Sequence, residues 1–170
     1  MANKTTKTNG KNKGNSFERK MANLLSARFE KFTGLKNSIR RNPDSGSFFG
    51  KTNQSRTETH SLDFAVFGDL IVPKNFNFSI ECKHYKSPPS FQSVLHNDVT
   101  QWDKWLVQSN QDANSSGKKM LLIIKYNMVD EFVIVDEAIE GKKPDMLYKH
   151  YFIYNLDDFL LQDDNIFFTD

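Results

Sequence analysis

The sequence predicts an α/β (α+β) domain, a mixed β-sheet flanked by helices. Three observations carry this reading. Apolar residues recur at helical spacing over residues 17–32. Two adjacent stretches over 62–85 are rich in β-branched and aromatic residues. A second helical stretch is then followed by apolar runs of strand length. The coarse order is α–β–β–β–α–β–β–β–α, in which helices interspersed with strands cover the faces of a sheet. With 170 residues, 38% hydrophobic and including 15 Phe, the chain can build one domain with a sizeable core.

Residues 1–14 are Lys, Asn, Thr and Gly with almost nothing apolar, which predicts a disordered basic arm followed by a single domain over 15–170. The first helix follows. Asn15 suits its N-cap, Glu18 stands in capping-box position, and Phe17, Met21, Leu24, Leu25 and Phe32 share a face; Gly34 ends it. "LKNSIRR" at 35–41 suits a short strand. The polar stretch up to Ser61 reads as a long loop. "LDFAVFGDLIVP" and "FNFSIECKHY", separated by the turn residues "PKN", predict a β-hairpin. Pro88-Pro89-Ser90 introduces a helix over 90–109 with Phe91, Val94, Leu95, Val99, Trp102, Trp105 and Leu106 on its apolar side. "NQDANSSGKK" reads as a loop. "MLLIIKYN" suits a strand covered on both faces, "EFVIVDE" and "YKHYFIYN" two more strands, and "LDDFLL" a short terminal helix.

Net charge is only +2, but its distribution is uneven. Lys4, Lys7, Lys11, Lys13, Arg19 and Lys20 crowd the N-terminus; Asp157, Asp158, Asp163, Asp164 and Asp170 crowd the C-terminus. A basic arm suits a phosphate backbone, and equally a solubilising tail. Cys82 is the single cysteine, so no internal disulfide forms, which fits a reducing compartment. No apolar run approaches the roughly 20 residues of a membrane span, and no secretory signal is visible, so a soluble cytoplasmic protein is expected. The richness in Asn, Lys and Phe suggests an AT-rich coding genome of the phage or mobile-element kind.

Within the expected hairpin, Asp69, Glu81 and Lys83 interrupt otherwise apolar strands. Charged residues are rarely buried unless paired or bound to metal. Period two puts Glu81 and Lys83 on one face, and antiparallel pairing would bring Asp69 beside them. Two carboxylates with water suit Mg²⁺, the backbone carbonyl of Cys82 offers a further ligand, and a lysine beside them suits phosphodiester hydrolysis. His84 points to the opposite face. One cysteine and four scattered histidines lack zinc spacing.

Asp69, an eleven-residue gap and Glu81-Cys82-Lys83 resemble the motif of the PD-(D/E)xK nuclease superfamily, with Gly68 in place of its proline. Within that superfamily the sequence is most similar to archaeal-type Holliday junction resolvases, with RecU- and Mrr-like proteins next. Residues 15–126 carry the resemblance. It implies a restriction-endonuclease-like core and metal-dependent cleavage of DNA, with Mg²⁺ or Mn²⁺ held by Asp69, Glu81 and the Cys82 carbonyl and Lys83 positioning the attacking water. Glu18 matches the N-terminal metal-site glutamate, although its capping position is a sufficient structural explanation. Asp63, upstream on the same strand face, is the rival for Asp69. Gln101 resembles the glutamine of the following helix, and Ser47 in "DSGS" the serine of a mobile loop. Arg40, Arg41, Lys51, Arg56 and Lys86 are candidate phosphate contacts. The resemblance also implies a homodimer. Two other readings stand beside the resolvase: a restriction- or repair-type nuclease acting on duplex or single-stranded DNA, and a nucleic-acid-binding module without catalysis.

Overall fold

The computed structural model describes residues 10–43 and 64–169. Helix α1 (Gly10–Thr33) opens the described chain. It begins five residues before Asn15, so Asn15 and Glu18 lie inside the helix and neither caps it. Its inner face carries Phe17, Met21, Ala22, Leu25 and Phe29 at helical spacing. Gly34 follows at φ +68°, the left-handed conformation that closes a helix, and its N–H donates to the Glu30 carbonyl.

Two sheets follow. The smaller contains β1 (Arg40–Arg41), β2 (Phe64–Val66) and β3 (Leu70–Pro73), in the order β1-β3-β2 and antiparallel throughout. The larger contains β4 (Phe78–Tyr85), β5 (Lys119–Tyr126), β6 (Phe132–Val135), β7 (Met146–Tyr148) and β8 (Tyr151–Asn155), in the order β4-β5-β6-β8-β7. Only its β4–β5 pair is parallel, with Glu81 opposite Leu122 and Lys83 opposite Ile124. The mixed sheet and flanking helices agree with the α+β expectation.

The hairpin expected over 62–85 is corrected. Gly68 reverses the chain at φ +69°, and β2 and β3 pair with each other. β4 pairs with β5 instead, and a single bridge, Gly68 to Ile80, ties the two sheets at this point. A side chain at residue 68 would lie 2.4 Å from the Ile80 carbonyl oxygen, so only glycine permits the approach.

The expected helix over 90–109 is two helices. α2 (Phe91–Leu95) ends before Asn97 at φ 54°, and α3 (Thr100–Ser116) runs through most of the expected loop to Gly117 at φ +67°. The last expected strand, 148–155, is split between β7 and β8 by a turn at Lys149, which has φ 55°. α4 (Leu156–Leu160) lies where a short helix was expected. α5 (Asp164–Phe167) was not anticipated.

The large sheet has a core on each face. One joins α1, α4 and α5 to Phe78, Ile80, Cys82, Leu121 and Ile123; the other joins α3 to Met120, Leu122, Ile124 and Ile134. Even positions of β4 therefore face α1, and Glu81 and Lys83 face α3. No helix among the described residues is long and apolar enough to cross a membrane.

Candidate active site

β4 is an edge strand of the larger sheet, and Glu81 and Lys83 lie at its fourth and sixth positions. Ile80 and Cys82 direct their backbone polar groups away from β5. The Ile80 carbonyl accepts from Asp69 N–H at 2.9 Å, and Cys82 N–H donates to Asp69 Oδ2 at 2.9 Å. The N–H and C=O of one strand residue point to the same side, so the Cys82 carbonyl also faces the Asp69 edge. Asp69 is thus held by its backbone and by one carboxylate oxygen. Its own carbonyl accepts from Asn42 N–H at 2.8 Å. Asp69 is 6% exposed.

Glu81 is 2% exposed. Its Oε1 accepts from the Lys83 ammonium and, at 2.6 Å, from Gln108 Nε2 on α3. Lys83 Nζ also donates to Gln108 Oε1 at 3.3 Å. Gln108 therefore bridges the acid and the lysine. Glu81 Oε2 and Asp69 Oδ1 accept no hydrogen bond among the described residues.

The electrostatics follow from burial. Desolvation pushes the Asp69 carboxyl up to about 6; Lys83 and the Cys82 N–H oppose the shift, while Glu18 and Asp112 add to it. Glu81 is pushed up to about 8, again chiefly by burial, then by the Asp69 charge, against the pull of Lys83. Burial works against the Lys83 ammonium, but Glu81 and Asp69 outweigh it and hold its pKa above the ordinary value. Burial raises the Cys82 thiol well above its usual range, so it stays protonated. Among the described residues the two buried carboxylates share one ammonium, so ionising both together is costly. Among the described residues, no three His, Cys, Asp or Glu side chains form a group able to hold a metal by themselves.

Glu18 approaches from α1 and is 7% exposed. Its Oε2 pairs with Arg41 Nε at 2.6 Å, and the same guanidinium donates to Asn15 Oδ1 at 2.9 Å. Its charge also reaches Asp69. Asp69, Glu81, Cys82, Lys83 and Glu18 are therefore brought together. Arg41, expected as a phosphate contact, turns inward to Glu18, while Arg40 is exposed on β1 and Lys86 is exposed just beyond β4. His84 packs on Phe17, on the face away from Lys83. Trp102 and Trp105 are buried in the α3 core. Ser47, Lys51, Arg56 and Asp63 lie outside the described residues.

The glutamine expected at the site is displaced along the helix. Gln101 makes no side-chain hydrogen bond among the described residues, and Gln108 stands about 10 Å further along the α3 axis. Gln108 lies inside the helix expected over 90–109, but the resemblance singles out Gln101 on that helix instead. Asp112, one turn beyond Gln108, is missed because the expected helix ends at 109; its charge bears on Asp69, Glu81 and Lys83. The signal that could have found both is the spacing Trp105, Gln108, Asp112, which places all three along one side of a longer helix.

An acid held at a strand edge and a Glu-x-Lys strand beneath a helix are consistent with a PD-(D/E)xK-like fold. A family model described as "Phage putative PDDEXK endonuclease" matches residues 9–169. The chain belongs to this phage endonuclease family, which supports a nuclease function and DNA as the substrate. No curated protein and no solved structure gives a significant match.

Proposed function

We propose that the protein is a metal-dependent DNA endonuclease, selective for DNA structure in the manner of a Holliday junction resolvase and working as a homodimer. The observation that carries the catalytic reading is the uncommitted oxygen on each of two buried carboxylates, Asp69 Oδ1 and Glu81 Oε2, beside a lysine. Oxygen donors of this kind fit Mg²⁺, with Mn²⁺ as a substitute, because Mg²⁺ is commonly held by one or two carboxylates while keeping several waters. Asp69 and Glu81 would hold the ion, with the Cys82 carbonyl completing the protein ligands and Glu18 acting from the α1 side. Bound there, the ion supplies Lewis-acid polarisation of the phosphate and lowers the pKa of the attacking water. Asp69 is fixed by Ile80 and Cys82 before any ligand arrives, so its geometry costs little to organise. Lys83, held by Gln108 and Glu81, orients the attacking water and offsets charge developing on the phosphate oxygens. Lys86 and Arg40, both exposed, contact the DNA backbone.

Selectivity for branched DNA rests on the sequence resemblance. The test is cleavage of a labelled four-way junction and a matched linear duplex, with Mg²⁺ or EDTA, by wild type and Lys83→Ala. Metal-dependent cleavage favouring the junction and lost in the variant is expected. Equal cleavage of both substrates removes the resolvase and leaves the nuclease. Binding without cleavage of either removes the enzyme.

A further inference from the structure

Four residues of β4 share the face beneath α3, and the last three, Glu81, Lys83 and Tyr85, lie toward its C-terminal end. Glu81 and Lys83 are accounted for by hydrolysis. Tyr85, the last residue of the strand, is 44% exposed although it lies on an otherwise covered face. One side of its ring meets Trp105, 7% exposed, with centroids 4.8 Å apart at 51°. Trp105 packs in the α3 core, so it backs the tyrosine with a fixed wall. Ser87-Pro88-Pro89 follow at once, and two prolines cannot extend the ladder, so β4 stops with the ring at its end. The hydroxyl makes no hydrogen bond among the described residues, and neither does the exposed Lys86 beside it.

The position relative to Lys83 gives this ring a use. Two strand residues span about 6.7 Å, comparable to the reach from a backbone phosphate to the base of one nucleotide. The backbone spacing thus puts the Tyr85 ring within one nucleotide's reach of a phosphate bound near Lys83. The base of a paired nucleotide is stacked inside the duplex and cannot lie on a protein ring, whereas an unpaired base can. We infer that Tyr85, backed by Trp105, is a stacking platform for an unpaired base next to the phosphate held at Lys83, so that the branched substrate proposed above is favoured where its branch point leaves a base unpaired beside the cut. This inference rests on the nuclease reading of the Glu81–Lys83 site, and it narrows the substrate class. The face opposite Trp105 takes the base, Lys86 takes a flanking phosphate, and the aromatic wall is sequence-tolerant because every base has a π-face.

The test compares wild type, Tyr85→Phe, Tyr85→Leu and Tyr85→Ala in Ca²⁺. Affinity for a fluorescein-labelled dT 20-mer and for a 20-base-pair duplex is read by anisotropy, and folding is checked by circular dichroism. Stacking on an aromatic ring contributes about 1–3 kcal/mol per base, so the ratio of single-strand to duplex affinity should fall roughly 5- to 150-fold in Tyr85→Ala. Tyr85→Phe should keep the ratio. Tyr85→Leu should lose it while still packing on Trp105, which separates stacking from folding. An unchanged ratio in Tyr85→Ala and Tyr85→Leu overturns the inference, as does a wild type that binds only duplex. Cleavage of the same two DNAs by wild type in Mg²⁺ tests the underlying reading separately. Cleavage with an unchanged ratio leaves the nuclease and removes the platform. A changed ratio without cleavage leaves the platform and removes the nuclease.

Discussion

Gln108 Nε2 donates to Glu81 Oε1 at 2.6 Å, and the carbonyl end of the same amide receives Lys83. The amide therefore fixes both partners of the Glu-x-Lys pair at once. Gln108→Ala should lower kcat about 10- to 100-fold with a smaller effect on KM, because it loosens Lys83 without touching DNA. Gln101→Ala should stay within about twofold. Single-turnover cleavage of both variants checks this, and equal losses would mean that neither glutamine acts through Lys83.

Gly68 sets the position of Asp69. An alanine there must adopt a left-handed backbone at a cost of about 1–3 kcal/mol, and its methyl group would also meet the Ile80 carbonyl. Gly68→Ala should lower the urea midpoint and reduce cleavage together, since the strand edge must shift and Asp69 moves with it. A variant with lower stability but full activity would show that the aspartate is located by something else.

The carboxylates make stability depend on pH with a definite sign. Asp69 and Glu81 have folded pKa values of about 6 and about 8, above their ordinary 3.8 and 4.5. Between those limits the folded chain binds more protons than the unfolded one, so stability falls as pH rises from about 4 and levels off above about 8. Lys83 remains charged throughout this window. The total is on the order of a few kcal/mol. Urea midpoints measured in EDTA from pH 5 to 8 should fall, and Glu81→Gln should flatten the slope. Added Mg²⁺ should raise the midpoint at pH 8 by mass action. A flat profile in the wild type would count against the buried pair.

Arg41 and Glu18 have side-chain exposures of 18% and 10%. Removing the guanidinium takes an ion pair from a buried carboxylate, so Arg41→Ala should cost about 2 kcal/mol, and Glu18→Gln in the same chain should recover part of it. Urea denaturation of the four proteins in the cycle measures the coupling. Lost DNA affinity with unchanged stability would return Arg41 to the phosphate contacts.

The sequence made the charged centre legible because its residues lie close together in the chain. Glu81, Cys82 and Lys83 group by their spacing and strand period, Asp69 joins them through the resemblance with Asp63 kept as its rival, and β5 follows from its unbroken apolar run. The connection between them was harder to read. A β-rich stretch containing one glycine looks like a single strand, yet the conformation at Gly68 divides it and exchanges an antiparallel partner for a parallel one. Gln108 is passed over because the resemblance points to Gln101, and Asp112 is hidden because the Asn, Gln, Asp and Ser from residue 110 on resemble loop composition. In α3 the burial of Trp105, Leu106, Ser109 and Ala113 outweighs that local preference. The turn at Lys149 carried no glycine to announce it.

Asn42 reaches across to the Gly68–Asp69 turn twice over, its Nδ2 donating to the Gly68 carbonyl at 3.0 Å and its backbone N–H to the Asp69 carbonyl at 2.8 Å. The chain leaving after residue 43 and returning at residue 64 is therefore buckled at its root, beside the acid. Lengthening a stretch whose ends are already tied costs little, about 0.6 kcal/mol for each doubling. Such an interval can change in length at little cost while the tie at Asn42 holds.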